Sequence, residues 1–500
     1  MIDAPKSAVR RWMAAAFRAR LFILLAVTYA YFYEGGDPNQ ATRMFLTRSL
    51  VERHEPDITP YHRFTIDKSE FDGKFWCDKA PAVSMLATIP YATMNVVDRT
   101  LGFDRDSRVM QRIRLHMIVL VISAASGVIA SIFVRRSLRL FGATPRLADL
   151  LTAGYALGTL AFPFSTVLFG HQTAAAMLAA SFYFVVKTRQ ATLDGEASEE
   201  NGPARLALLG ALWGLVMTTE YPTGLLVACQ GLYLLSADRR VRPVVRVLAW
   251  SAAGAFAPLV IHSAFLWWAF GSPFSLPYSH MAEPIFLAHV STGVLGINLP
   301  SLVGLFGSFL SRYRGIFFFC PFLICTLVGL RSWIASGERR AELALCAAQI
   351  FAYVFFCAGY YAWDGGGSTG PRHLVPALPF FVIPIVWFAR SKAGLRWTLL
   401  SLVPSVIIML ACTATRIELP EGDPWRANPL YEIIFATLAR GEIAVNRADI
   451  YSLDPRGDAS YNLGSLMGLT SVCSLLPLLA IWLAAYVPSG FVAWRRTRSA

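Results

Sequence analysis

The sequence predicts an all-α polytopic membrane protein with about twelve transmembrane helices. Of its 500 residues, 55% are hydrophobic and 15% are charged, and the mean hydropathy is +0.48. This composition exceeds what the core of a soluble protein needs. Long apolar runs recur along the chain, with arginines at alternate ends. Because the runs are apolar all round, run length and flanking charge set their limits better than periodicity does.

The predicted spans follow from these two criteria. They cover residues 13 to 33, 113 to 134, 147 to 169, 172 to 187, 206 to 220, 222 to 237, 247 to 270, 315 to 331, 342 to 361, 373 to 389, 397 to 415 and 463 to 487. Residues 206 to 237 would also fit one tilted helix. Two spans there place the arginine-rich connections on a single side, as the positive-inside rule requires.

This arrangement makes both termini cytoplasmic and predicts an integral protein of a bacterial inner membrane, with its first span kept as an uncleaved anchor. The net charge of +13 then reflects the inside bias and contact with lipid headgroups. Nucleic-acid binding is not indicated.

The first outside segment is long, covering residues 34 to 112. Within it, residues 41 to 52 form an amphipathic pattern that predicts an interfacial helix. Residues 80 to 97 are apolar but interrupted by Pro81 and Pro90, so they are expected to re-enter the membrane or lie at headgroup depth. The late outside segment, 416 to 462, predicts a loop-rich lid. Cys77 falls in the first segment and is expected to react with an impermeant thiol reagent.

The unusual polar residues lie at the end of the spans away from the arginines, which predicts one active site on the extracytoplasmic face. They are Glu34, Asp37, Asn39, Asp78, Lys79, His171, Glu220, Arg314, Asp364, Arg372 and His373.

Asp37 follows two glycines directly after the first span. A carboxylate held there can act as general base on an acceptor that arrives from the aqueous side, although an aspartate that starts a turn is the commoner role. Lys79 precedes Ala80 and Pro81 at the start of an apolar segment. Its ammonium can reach a phosphate at headgroup depth, or it can be a snorkelling interfacial lysine.

The glycine-rich stretch from Trp363 to Pro379 is the strongest single motif. Bare backbone amides can approach an anion closely, and Arg372 adds a forked donor where the next helix begins. A turn between two spans needs fewer such residues, so the pattern favours an anion site.

The order of these features resembles the GT-C superfamily of polyprenyl-phosphate-sugar glycosyltransferases, and within it the protein mannosyltransferases and lipid A aminoarabinose transferases. The shared features are an acidic residue after the first span, interfacial helices in a long first outside loop, the acid-Lys-x-Pro motif at Asp78 to Pro81, and Gly370 to Arg372 before a proline-rich helix. The resemblance covers residues 20 to 390.

The resemblance implies roles for several residues. Asp37 would be the catalytic base, Lys79 and Arg372 would contact the donor phosphate, and Asp78 would orient a group or hold a metal ion. Many relatives carry a second acidic residue where this chain has His171, so a two-carboxylate site and a divalent-metal requirement both stay open. No cofactor is otherwise indicated.

The predicted function is therefore transfer of a sugar from a polyprenyl-phosphate donor to an extracytoplasmic lipid, glycan or protein, with inversion at the anomeric carbon. Arg314 is a further candidate phosphate ligand. The candidate walls of the site are Glu34, Asn39, Arg43, Asp78, His171, Glu220, Asp364 and His373. The chain divides into a GT-C-like catalytic module, 1 to 390, and C-terminal helices, 391 to 500, whose outside loop would help select the acceptor.

Two other functions share part of this pattern. A transporter or flippase of lipid-linked sugars would also have many spans, but would show internal repeats and helices broken at mid-membrane. An O-antigen ligase or polymerase uses the same donors, but would depend mainly on outside arginine and histidine.

Overall fold

A computed structural model describes residues 19–195, 199–446 and 460–485. Helices make up most of it. The first half contains Ala19–Ala30, Pro38–Glu52, Ala82–Leu101, Arg108–Leu140, Pro145–Gly158, Ala161–Phe164, Gly170–Leu193, Pro203–Met217 and Gly224–Leu235. The second half contains Val241–Phe270, Pro284–Val290, Leu302–Phe309, Ile316–Phe319, Ile324–Ser336, Arg340–Gly359, Leu378–Val382, Ile385–Ala389, Lys392–Thr415, Ala436–Ala439, Leu463–Leu466 and Ser471–Ala485.

Shorter elements complete the described chain. The 3₁₀ turns are Thr59–Phe64, Tyr221–Thr223, Pro277–His280, Pro321–Leu323 and Arg372–Ala377. Leu120–Ala124 and Leu430–Phe435 are π-helical. The strands are Phe32–Tyr33, Ser69–Phe71, Lys74–Trp76 and Tyr461–Asn462.

Four helices of the described ranges are long and apolar enough to cross a membrane: Arg108–Leu140, Val241–Phe270, Arg340–Gly359 and Lys392–Thr415. The helical membrane class is thus confirmed. The number of spans stays a prediction, because the other apolar helices are shorter.

Proline explains why some predicted spans are broken. The segment predicted as one span over 373 to 389 is a 3₁₀ turn followed by two five-residue helices, with prolines at 376, 379 and 384. Each proline removes one backbone donor and blocks the preceding turn. Nearly all of this segment is buried against other helices. The predicted split of 206 to 237 into two helices is correct, with the break at Glu220 to Thr223.

The first outside segment is more deeply packed than the sequence indicated. Pro38–Glu52 is a helix capped by Asp37, but ten of its residues are buried, including Arg43. It therefore lies inside the protein rather than at the interface. Ala82–Leu101 is one continuous helix that runs through Pro90. The hydroxyl of Thr47 donates to the carbonyl of Ser84 at 3.0 Å and ties the two helices together.

Two short antiparallel ribbons hold the outer segments in place. Phe32–Tyr33 pairs with Tyr461–Asn462, and Ser69–Phe71 pairs with Lys74–Trp76. The hairpin also contacts the segment 271 to 314, through a bridge between Ser69 and Met281. The sequence did not single out this segment, which forms part of the wall of the main cavity.

Cys77 is fully buried beneath the hairpin, and burial raises the pKa of its thiol to about 11. The expectation that an impermeant reagent would label it is therefore wrong.

Candidate active site

A cavity of about 480 Å³ opens where the outer segments meet. Its walls come from the start of helix Pro38–Glu52, the glycine-rich loop, helix Pro284–Val290 and residues 418 to 421. The charged residues that line it are Asp37, Asp67, Lys79, Asp364, Arg372, Glu418 and Glu421.

Asp37 is held at the N-terminus of helix Pro38–Glu52. One carboxylate oxygen accepts hydrogen bonds from the backbone amides of Asn39 at 2.7 Å and Gln40 at 3.3 Å. Burial raises the pKa of Asp37 to about 6, with the Arg372 guanidinium lowering it and the Asp67 carboxylate raising it. At neutral pH this carboxylate is ionised but close to its pKa, which suits a general base.

The positive charge of Lys79 is already paired with carboxylates of the protein. Its ammonium lies 2.9 Å from Asp67 and 2.7 Å from Asp78. Burial lowers the pKa of Lys79, but these two carboxylates outweigh it and the net pKa is raised. Asp78 is fully buried, and burial raises its pKa to about 6. Asp78 therefore orients Lys79 from behind.

Arg372 differs from Lys79 in its surroundings. Within the described ranges it makes no ion pair, and its Nε is buried without a hydrogen-bond partner. The guanidinium lies over the ring of Phe169, 5.3 Å from the centroid. Arg372 therefore lines the cavity without a salt bridge in the described part of the chain, while its charge acts on the Asp37 and Glu418 carboxylates across the cavity.

The glycine-rich loop forms the wall beside Arg372. Gly365, Gly366 and Gly370 have φ values of +84°, +62° and +60°, a region that favours glycine. The carboxylate of Asp364 accepts a hydrogen bond from the Gly366 amide at 3.0 Å. Backbone of Gly366 and Gly367 thus lines the cavity with no side chain in the way.

Arg314 lies behind this wall. It is fully buried, and one terminal nitrogen donates to the carbonyls of Gly366, Leu419 and Pro420 at 3.4, 3.2 and 3.0 Å. It is not among the residues that line the cavity. The predicted contact between Arg314 and the donor phosphate stays a prediction. The observed bonds connect the glycine-rich loop to residues 419 and 420 of the segment 416 to 462.

Glu418 places a second carboxylate beside Asp37. Both line the main cavity and a cleft of about 10 Å³ behind it. Burial first, then the Asp37 carboxylate, raise the pKa of Glu418 to about 7. Two carboxylates that close do not ionise independently.

The backbone on either side of Glu418 is fixed. The Ile417 amide donates to Glu34 at 3.2 Å, and the Ile417 carbonyl accepts from the Thr369 hydroxyl at 2.8 Å. Asn446 also donates to Glu34 at 3.0 Å. Burial raises the pKa of Glu34 to about 8. Glu34 therefore supports the wall from behind and is largely protonated at neutral pH.

A buried polar network lies behind the cavity. Arg43 donates to Asn39 at 3.0 Å and contacts Glu220 at 3.3 Å, and His171 Nδ1 lies 3.3 Å from the same Glu220 oxygen. The His373 ring packs edge-on against His171 with centroids 5.4 Å apart. A Cβ atom at Gly170 would lie 2.3 Å from a Glu220 carboxylate oxygen, so a larger residue there would displace this carboxylate from the network.

The sequence-predicted residues thus divide into two groups. Asp37, Asn39, Lys79, Asp364 and Arg372 line the cavity. The candidates that lie behind it are Glu34, Arg43, Asp78, His171, Glu220, Arg314 and His373.

Sequence reasoning missed Asp67, Glu418, Glu421 and His289 on the cavity wall. Their acidic or aromatic character in outer loops was the available signal.

A divalent metal was left open by the sequence. In the part of the chain that the structure describes, no three His, Cys, Asp or Glu side chains cluster closely enough to hold a metal ion. The described residues therefore do not fit such a group.

Comparisons with known proteins identify the architecture. No protein-family model and no curated protein matches the chain. Among solved structures, the oligosaccharyltransferase AglB from Archaeoglobus fulgidus, in complex with an inhibitory peptide and a dolichol-phosphate, superposes with a TM-score of 0.53 at 11% identity. The match covers 82% of this chain and 57% of AglB. The apo form of the same enzyme gives a TM-score of 0.52 at 12% identity, with the same coverage.

The chain has a GT-C-like fold. ArnT from Cupriavidus metallidurans bound to undecaprenyl phosphate is also similar, with a TM-score of 0.46 at 14% identity over 80% of this chain and 65% of ArnT. The matched region thus spans little more than half of the length of AglB. The resemblance expected from the sequence is confirmed at the level of the fold.

Proposed function

We propose that this protein transfers a sugar from a polyprenyl-phosphate donor to an acceptor at the outer face of the membrane. The observation that carries the proposal is that one cavity holds both Asp37, a carboxylate poised near its pKa, and Arg372, which makes no ion pair with any other residue that the structure describes. The GT-C-like fold supports the same class of reaction, since AglB was captured with a dolichol-phosphate.

Arg372 and the glycine-rich loop would hold the donor phosphate. A guanidinium forks onto two phosphate oxygens. Because the Gly366 amide already donates to Asp364, the backbone of Gly367 is the part of the loop that would add a further contact. Lys79 is already paired with Asp67 and Asp78, so its contribution to phosphate binding would be the smaller one. This refines the sequence prediction, which treated the two cations as equals.

The chemistry then needs one base and one leaving group. Asp37 takes the proton from the acceptor hydroxyl or amine as its oxygen or nitrogen attacks the anomeric carbon. The bond from that carbon to the phosphate oxygen breaks, and polyprenyl phosphate leaves with the electron pair. Arg372 stabilises the charge that develops on the phosphate. Attack from the face opposite the phosphate inverts the anomeric centre.

Glu418 would influence whether Asp37, the proposed base, is ionised. While it holds a proton, the neighbouring Asp37 carries the only negative charge of the pair, which keeps Asp37 ionised and able to accept a proton. The substrate pocket also has a stacked pair of rings, His289 and Tyr361, with centroids 5.2 Å apart. Sugar rings pack well on such surfaces, so this pair is our candidate for the sugar wall.

Purified protein in detergent, supplied with polyprenyl-phosphate sugars and an extract of envelope acceptors, tests the proposal. Release of polyprenyl phosphate together with a glycosylated acceptor is expected. A transporter or flippase would move the donor across a vesicle membrane and leave its phosphate-sugar bond intact. That result would contradict the proposed sugar transfer and indicate a transport function instead.

A further inference from the structure

A second cavity, of about 280 Å³, lies far from the candidate active site. It is formed by the end of helix Gly170–Leu193, the start of helix Pro203–Met217 and the start of helix Val241–Phe270. Its polar and charged wall includes Thr188, Thr192, Asn201, Asp238, Arg242 and Arg246. None of these residues belongs to the proposed transferase chemistry.

The distance between the two sites follows from a single helix. His171, behind the first cavity, and Thr188, on the wall of the second, both belong to Gly170–Leu193. At a rise of ~1.5 Å per residue, their separation along the helix axis is roughly 26 Å. The hydrocarbon core of a bilayer is ~30 Å thick. The separation of the two cavities along this helix therefore fits the two membrane faces predicted from the sequence, with the second cavity on the arginine-rich side.

The charge of this cavity is positive. Arg242 and Arg246 are four residues apart, so they share one face of the first turns of helix Val241–Phe270. The positive end of the helix dipole adds to their charge. Asp238 is the acidic residue on the wall, and both its oxygens are engaged by Arg240, at 3.0 and 3.1 Å from Nε. An anion would thus meet two arginines and no free carboxylate.

Thr188 gives an independent indication of a ligand. Its side chain is 1% exposed and lines the cavity, and its hydroxyl has no hydrogen-bond partner within the described ranges. A buried hydroxyl is normally satisfied, because leaving it unpaired costs free energy. A phosphate oxygen in the cavity would accept its proton.

The outer surroundings of the cavity are apolar. Val245, Leu248 and Trp250 of the same helix are 56%, 53% and 43% exposed. In a membrane this surface faces acyl chains. An anion that occupies the cavity would therefore carry hydrocarbon beside it, which fits a lipid better than a soluble phosphate.

We propose that this cavity binds the phosphate of an anionic phospholipid headgroup, with Arg242, Arg246 and the Thr188 hydroxyl as its ligands. Basic pockets between helices at this depth are suited to such headgroups. The lipid would pack its chains along the exposed face of Val241–Phe270 and fix this helix against Pro203–Met217. The proposal does not depend on the transferase activity.

The test compares lipid binding by the full chain in a neutral detergent, measured by native mass spectrometry with phosphatidylglycerol or phosphatidylcholine. The variant Arg242→Gln/Arg246→Gln removes the paired charges. The control variant Arg331→Gln/Arg396→Gln removes two exposed arginines at the same predicted face but outside the cavity. Saturable binding of phosphatidylglycerol should weaken by about tenfold or more in the cavity variant and stay unchanged in the control.

Thr188→Val supplies a test that leaves every charge in place. It keeps the shape of the side chain and deletes the unpaired hydroxyl, so the fold should tolerate it, while affinity for phosphatidylglycerol should fall several-fold. Two results would overturn the site, because each would indicate only a general attraction between the lipid and surface charge. One is an equal loss of phosphatidylglycerol affinity in the cavity variant and the control variant. The other is an unchanged affinity in Thr188→Val. Displacement of the lipid by millimolar inorganic phosphate would overturn its assignment to a lipid.

Discussion

Replacing Asp37 by asparagine should separate catalysis from folding at the candidate base. Asp37 has two roles in the structure: its carboxylate faces the cavity, and one oxygen caps helix Pro38–Glu52. Asparagine caps helices about as well as aspartate, so the expected stability change is only a few tenths of a kcal/mol. Asp37→Ala removes the cap as well and should cost ~1 kcal/mol.

The effect on turnover should be far larger. Loss of a positioned general base lowers the rate by roughly 10² to 10⁴-fold, or ~3 to 5 kcal/mol of transition-state free energy. Donor affinity should change little, because Arg372 rather than Asp37 holds the phosphate. The pKa of Asp37 is about 6, so wild-type kcat/KM should fall about tenfold per pH unit below pH 6, as the base becomes protonated.

Glu34→Gln is the matched control. Glu34 accepts hydrogen bonds from the Ile417 amide and the Asn446 side chain, and the glutamine oxygen can accept both. Because burial raises the pKa of Glu34 to about 8, the wild-type group is already neutral at pH 7 and turnover should stay within a few-fold. Rates are measured as release of polyprenyl phosphate, and donor binding by titration. An active Asp37→Asn beside an inactive Glu34→Gln would refute the assignment of the base.

Three further predictions follow from the same contacts. Arg372→Gln should weaken donor binding by ~10 to 100-fold, as expected for a lost charge-assisted contact. Lys79→Gln should weaken it less, and equal effects in donor titrations would contradict the different roles of these two cations. Folding raises the pKa of Glu34, so the stability that this residue contributes is present below pH 4.5 and is lost as the pH rises through 8. The melting temperature of Glu34→Gln should therefore depend less on pH across that range than that of the wild type. Parallel curves for the two proteins would contradict a buried carboxyl at position 34. Lys74→Cys should react with an impermeant thiol reagent added outside cells and Lys392→Cys should not, and the reverse pattern would invert the topology.

The sequence predicted the membrane class, and it pointed to several residues of the candidate site, because both depend on local features. Charge and run length separate spans from loops. A carboxylate after two glycines, or an arginine after a glycine-rich loop, can be recognised from neighbours in the chain. Asp37 and Arg372 were found in this way, and the structure brings both to one cavity although 335 residues separate them.

The sequence could not show which polar residues face the cavity. Arg314 and Arg372 look alike in the chain, yet Arg314 bonds through one terminal nitrogen to three backbone carbonyls and does not line the main cavity. Glu418 stands in a loop with no distinctive motif, and only the packing of that loop against Glu34 and Thr369 brings its carboxylate to Asp37. These outcomes depend on contacts between residues far apart in the chain, which spacing does not encode.

Burial in the first outside segment was also underestimated. The pattern of residues 41 to 52 suits an interfacial helix, but its polar residues find partners inside the protein: Arg43 bonds to Asn39 and Glu220. An amphipathic pattern cannot distinguish a face that meets lipid from one that meets another protein surface.

The most direct test of the central claim is a donor-bound structure of the Asp37→Asn variant, which should bind substrate without consuming it. We expect the donor phosphate in the main cavity, with its oxygens within ~3 Å of the Arg372 guanidinium, beside Gly367 of the glycine-rich loop, and with the anomeric carbon on the side of residue 37. A donor phosphate bound elsewhere, with Arg372 still unpaired, would contradict the account.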